Sequence, residues 1–175
     1  MSAAYRHVLI ALALTAGIGA AVLQDPLPPL ASDEVSAVQL AEWLRAKRPG
    51  LQLLDLRPAG ASAQAHLPGS RLAADIEFSR VSDGDIVVVY ADRGVDHATA
   101  QAVQPRAGRA RLLRLRDGMH AWSQDVLHPV LRSDASARQQ HAFVYRAQLS
   151  RYFGGTPRVL ESGALQQTHR GRGGC

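Results

Sequence analysis

Cysteine is almost missing from this chain: Cys175, the last residue, is the only one. A single thiol excludes an intramolecular disulfide, and there is no CxxC or Cys/His spacing to hold zinc. Lysine is equally scarce. Lys47 stands alone, so the formal net charge of +5 is carried by arginine. A basic balance can serve nucleic acid or an anionic membrane surface. Here the arginines are spread along the chain, and no run of them interleaves with aromatics. That distribution argues against nucleic acid and for a basic solvated surface. Asp92 and Asp96 with His97 are too loosely spaced for a metal site, and no further ligand is indicated. No metal or other cofactor is expected.

What the chain does have is apolar residues, 46% of 175, enough for one ordinary domain with extensions. Residues 8–23 read VLIALALTAGIGAAVL without a charge and follow Arg6 and His7. A basic start and an apolar run form the pattern of a signal peptide. The run is shorter than the roughly 20 residues that cross a bilayer. Ala3, Ala4 and Tyr5 extend it, so an uncleaved anchor fits equally well. Gly19, Ala20 and Ala21 offer small residues for cleavage, without a clean A-x-A, and no nearby cysteine allows a lipoprotein. Residues 1–24 are therefore expected to be a signal peptide or membrane anchor. Either places the remainder outside the cytoplasm, in the periplasm or anchored at the membrane, with membrane contact through residues 8–23 if uncleaved. Residues 25–34, with three prolines in the stretch, read as a stiff linker.

From Ser36 the patterns alternate between helix and strand. Ser36 and Gln39 form a capping box, and Leu40, Trp43, Leu44 and Lys47 continue at helical spacing to a stop at Pro49-Gly50. LQLLDL, Leu51 to Leu56, is strand-like. IVVVY, Ile86 to Tyr90, is the strongest strand, a continuous run expected at the centre of a parallel sheet covered on both faces. His97 to Val103 reads as a helix ended by Pro105, and RLLRL, Arg111 to Leu115, as a third strand. The alternation predicts an α/β fold with a mainly parallel central sheet flanked by helices. A further helix is expected from Ser133 to Phe153, with Val144, Ala147, Gln148 and Tyr152 as a partial stripe, within an extension covering 131–155. Residues 156–175 are rich in Gly and Arg and read as a flexible tail.

Three segments carry a family resemblance. The first is Leu54-Asp55-Leu56-Arg57 followed by Ala65-His66-Leu67-Pro68-Gly69-Ser70. The second is IVVVY running into Ala91-Asp92-Arg93-Gly94-Val95-Asp96. The third is Leu115-Arg116-Asp117-Gly118-Met119-His120-Ala121-Trp122. In this order and spacing they resemble rhodanese-like domains, over residues 35–130. The resemblance implies a strand ending in D-x-R, a G-H-I-P-G-A turn with three replacements here, and an L-x-G-G-x-x-A-W segment. Most of these residues read as structural. Asp55 and Arg57 organise the first loop, His66 and Pro68-Gly69 shape a turn, and Trp122 is more a core anchor than a substrate platform.

In the family the central strand ends in a cysteine, and the following loop turns its backbone N–H groups inward as an anion nest that activates the thiol. The resemblance places Ala91 at that position. A methyl group can neither attack sulfur nor carry a persulfide. Asp96 stands where a basic residue is usual, and Asp92 adds a second negative charge beside Arg93, which should weaken anion binding. Gly94 keeps the tight turn possible. His97, at the helix start, reads as a surface or capping residue rather than a base. Two functions follow from these features. One is a non-catalytic module, lacking classical sulfurtransferase activity, that uses the vestigial pocket face or the C-terminal helix to bind a protein partner at the membrane or in the periplasm. The other is a sulfurtransferase or thiol carrier using Cys175, where Arg170 and Arg172 would favour the thiolate. The N-terminal reading is tested by cell fractionation. The full-length protein is expected with membranes or in an extracytoplasmic fraction, and recovery only in soluble cytoplasm would overturn it.

Overall fold

A computed structural model of the chain describes residues 33–75 and 81–161. The expected signal or anchor segment and Cys175 lie outside these residues. Among the described residues, no helix is long and apolar enough to cross a membrane.

Five strands form one parallel sheet in the order β1-β5-β4-β2-β3: β1 Glu34–Val35, β2 Leu51–Asp55, β3 Arg71–Leu72, β4 Ile86–Tyr90 and β5 Arg111–Leu115. Four helices connect them or follow on: α1 Ala37–Arg45, α2 Ala59–Gln64, α3 His97–Ala107 and α4 Gly118–Ala121. From α4 the chain continues as a π-helical stretch, Trp122–Leu127. β4 is the middle strand, and all five of its residues are buried. Its continuous apolar run is explained by two cores. Ile86, Val88 and Tyr90 join one with Leu40, Ala41, Trp122 and Leu149, while Val87 and Val89 join the other with Leu54, Val95, Ala100 and Ala107. Alternate side chains point to opposite faces, so both faces need apolar residues when both are covered.

Beyond the sheet, β6 Val130–Arg132, α5 Ala137–Tyr152 and β7 Arg158–Leu160 make a small βαβ unit with its two strands parallel. α5 begins with a complete capping box: Ser136 Oγ accepts from Gln139 N, and Ser136 N donates to Gln139 Oε1 at 2.9 Å. The box expected at the start of α1 is only half present, as Ser36 Oγ accepting from Gln39 N at 3.1 Å.

Several boundaries differ from the sequence reading. The linker expected through residue 34 ends sooner, because Glu34 pairs with Arg114 in the sheet. Pro105 does not end α3, which runs on to Ala107. A proline so close to a helix end removes one bond of the last turns, and the Gln104 side chain donates to the Gly108 carbonyl at 3.0 Å just beyond. The tail expected from Thr156 first supplies β7. Of the stripe expected on α5 only Ala147 is buried; Val144, Gln148 and Tyr152 are exposed, and Leu149 and Ser150 turn inward instead.

The docking of α5 is specific. Leu149 is fully buried in the main core, and Phe153 stacks edge-on against Trp122 at 5.0 Å. Leu127 O accepts from Ser150 Oγ at 2.7 Å and from Thr156 N at 2.7 Å. A Cβ at Gly155 would collide with the Leu127 backbone, so only glycine lets the chain pass there. Truncating Leu149 to alanine should cost about 2–5 kcal/mol. Urea unfolding followed by circular dichroism checks this, and a loss under ~0.5 kcal/mol, the scale of ordinary surface changes, would mean that α5 adds nothing to the core.

Candidate functional site

The loop from Ala91 to Asp96 leaves β4 at the C-terminal edge of the sheet, where parallel α/β folds build their sites. Beneath it lies a buried polar network. Asp55, with no exposed surface, ends β2. Arg57 folds back over it, donating from Nε to Asp55 Oδ1 at 2.9 Å and from Nη2 to Oδ2 at 2.7 Å. The Arg57 backbone N–H also donates to Oδ1, at 3.0 Å. Such a two-pronged pair is the strongest geometry for these groups. Tyr90 OH donates to Asp55 Oδ2 at 2.9 Å, accepts from Leu67 N at 3.2 Å, and lies 2.8 Å from Ser70 Oγ. Arg57 Nη2 also donates to Ala65 O at 2.6 Å, and Nη1 reaches Asp92 Oδ1 at 3.2 Å.

These contacts shift the titrations. Burial pushes the Asp55 carboxyl up, but the Arg57 hydrogen bonds and that of Tyr90 outweigh it and hold it below the ordinary carboxylate value. Hydrogen bonding to Asp55 raises Arg57 further above its usual value, against desolvation. Burial pushes the Tyr90 phenol up.

Helix α4 abuts the same loop. Met119 N donates to Ala91 O at 2.9 Å, and His120 N to Asp92 O at 3.0 Å. Gly118, at φ +52°, is the contact point. A Cβ there would run into the carbonyl oxygens of Ala91 and Arg93, so the close approach requires glycine. Within the loop Ala91 is half-buried, Val95 is buried in the second core, and Asp92, Arg93, Gly94 and Asp96 are exposed.

The structure brings Asp55, Arg57, Gly118 and Ala91–Asp96 together. His66 sits apart on the surface, with Nδ1 3.0 Å from Ser62 O in the turn after α2. Trp122 is 2% exposed, a core residue and not a platform. The two loop carboxylates are not free charges. Asp92 is paired with Arg57. Asp96 caps α3, accepting from Thr99 N at 2.8 Å and Thr99 Oγ1 at 2.6 Å, and these bonds hold its carboxyl below the usual range. Sequence reasoning missed Tyr90, Ser70 and Arg114. Arg114 Nη1 donates to Val95 O at 2.8 Å. Tyr90 had a signal, a polar-tipped aromatic closing an otherwise aliphatic run. Among the described residues, no cluster of His, Cys, Asp or Glu could hold a metal ion.

This arrangement of a central strand, a six-residue loop and a buried D-x-R pair defines a class. The Rhodanese-like domain family model matches residues 36–125, just over half the chain, and the chain belongs to that family. Among solved structures it is similar to a rhodanese-like domain protein from Staphylococcus aureus, with 21% identity and a TM-score of 0.39, over 51% of this chain and 90% of that one. It is also similar to the BH2092 protein from Bacillus halodurans, with 20% identity and a TM-score of 0.43, over 68% of this chain and 77% of that one. A search of the curated proteins found no match.

The Asp55–Arg57 pair should show in stability against pH. Asp55 has a lower pKa folded than unfolded, so its contribution is complete above the ordinary value of about 4. It is lost as pH falls through the lower folded value. Asp55→Asn should cost about 3–5 kcal/mol at neutral pH, because the buried Arg57 loses its two-pronged partner and keeps only the exposed Asp92, and should remove this part of the acid sensitivity. Urea unfolding over a pH series checks both. A variant with the wild-type slope would show that the acid response arises elsewhere.

Proposed function

We propose that this protein is an exported rhodanese-like domain that lacks sulfurtransferase activity and uses its loop face to bind a protein partner at the membrane or in the periplasm. The observation that carries this reading is a methyl group, Ala91, at the head of a fully supported loop. Gly118, Met119, His120 and Arg57 hold the loop as a defined surface, yet its first residue has no atom that can attack or carry sulfur. Asp92 occupies one arm of Arg57, which lowers the positive potential available to a bound anion. The exposed Asp92, Arg93 and Gly94 then form a small polar surface suited to recognition by hydrogen bonds and charge.

Thiosulfate:cyanide sulfur transfer by the purified protein, beside a Cys175→Ser variant, tests the reading. No turnover is expected from either. Turnover lost in the variant would instead assign the chemistry to the terminal thiol. In the Cys175→Ser background, Ala91→Cys should introduce a thiol at the loop, and adding Asp92→Asn should lower its pKa by removing a neighbouring negative charge. Because Asp96 caps α3, Asp96→Arg should mainly destabilise the start of that helix. Alkylation rate against pH reads out the thiol pKa. Equal pKa values with and without Asp92→Asn would overturn the electrostatic part of the account.

A further inference from the structure

The loop from Ala91 to Asp96 is held at its two ends by different parts of the molecule. At the front, α4 donates to the carbonyls of Ala91 and Asp92. At the rear, the Val95 side chain is packed in the core, and its carbonyl is held by Arg114 Nη1 at 2.8 Å. That bond fixes the plane of the peptide between Val95 and Asp96, and so the direction in which the chain enters α3.

Arg114 is in turn set by the residues through which the chain enters the domain. Its Nε donates to Asp33 Oδ2 at 2.9 Å, its backbone N–H donates to Asp33 O at 2.8 Å, and its Nη2 lies 3.3 Å from Glu34 Oε1. The same Asp33 oxygen lies 3.3 Å from His97 Nδ1, in the first turn of α3. One carboxylate thus touches both groups at the rear of the loop, the guanidinium that grips Val95 and the first side chain of α3. β1 is only two residues long and lies at the sheet edge. Short edge elements open at low cost compared with a central strand.

We propose that Asp33 is the pin of a clasp through which the entry point of the chain controls the shape of the binding loop. Lifting residues 33–34 from the sheet edge withdraws Asp33 from Arg114 and His97. The Arg114 fork then loses its fixed orientation, and the hold on the Val95 carbonyl goes with it. The position of residues 33–34 and the conformation of the loop are coupled through one hub, Arg114, with two discrete arrangements, bound or released. The value of this coupling as regulation rests on the loop being the binding face proposed above. The coupling itself is measured without any partner, so failure of one reading is distinct from failure of the other.

Hydrogen exchange of the full-length protein tests the clasp. Asp33→Ala removes the pin at a one-third-exposed position, and Arg114→Met removes the hub. In both, amides of residues 94–100 should exchange about three- to tenfold faster, the factor expected for one lost hydrogen bond. Strand β4 and residues 118–122, which hold the front of the loop, should keep wild-type rates. Asp83→Ala breaks a surface ion pair with Arg109 elsewhere and should leave 94–100 unchanged. Wild-type rates at 94–100 in Asp33→Ala, or an equal acceleration across β4, would overturn the proposal.

Discussion

A carboxylate with no exposed surface, as at Asp55, stays charged inside a protein only when a cation and hydrogen-bond donors meet it. Satisfying that one group organises the whole C-terminal edge of the sheet. Arg57 must curl back two residues, Tyr90 must end β4 with its hydroxyl aimed across, and the turn from Ala65 to Ser70 must close over both. Three chain segments are thereby fixed relative to one another. The one arm of Arg57 not spent on Asp55 or Ala65 reaches Asp92, so the buried pair also sets where the loop begins.

The loop that results is a scaffold whose charges are answered locally. Asp92 faces Arg57, Asp96 faces Thr99 and the start of α3, and Asp33 faces Arg114. Treating Asp92 and Asp96 as two unscreened negative charges beside an anion cradle therefore overstates Asp96 in particular. Its role is to satisfy donors that every helix start leaves open. Asp92 still matters to the electrostatics, because it takes up part of a cation that would otherwise face the loop alone.

Much of the fold was legible in the sequence, and the reasons are specific. IVVVY announces a doubly covered strand because four β-branched residues and an aromatic in succession, at strand length, favour a strand over a buried helix segment. D-x-R and the Gly118 segment were visible through family resemblance. Gly118 then acquired a physical cause from the carbonyls it abuts. β1 and β3 left no signal because a two-residue strand has no period. α2, AGASAQ, has no apolar face and buries nothing. Pro105 misled because it stands two residues before the end of α3, where the loss is confined to one bond of the last turns and the helix runs on to Ala107. Asp33, Arg114 and Val95 were invisible as a group because 81 residues separate Asp33 from Arg114, and only the β1–β5 pairing brings them together.

The docking of α5 changes what counts as the domain. The family pattern ends near residue 125, but Leu149 and Phe153 complete the core around Trp122, and the Leu127 carbonyl is satisfied by Ser150 and Thr156. A fragment cut where the pattern stops would turn an indole face and an apolar cleft out to water. Such a surface is adhesive. The smallest piece worth expressing on its own therefore runs to about the end of β7, and the last helix is a wall of the molecule rather than an attachment to it.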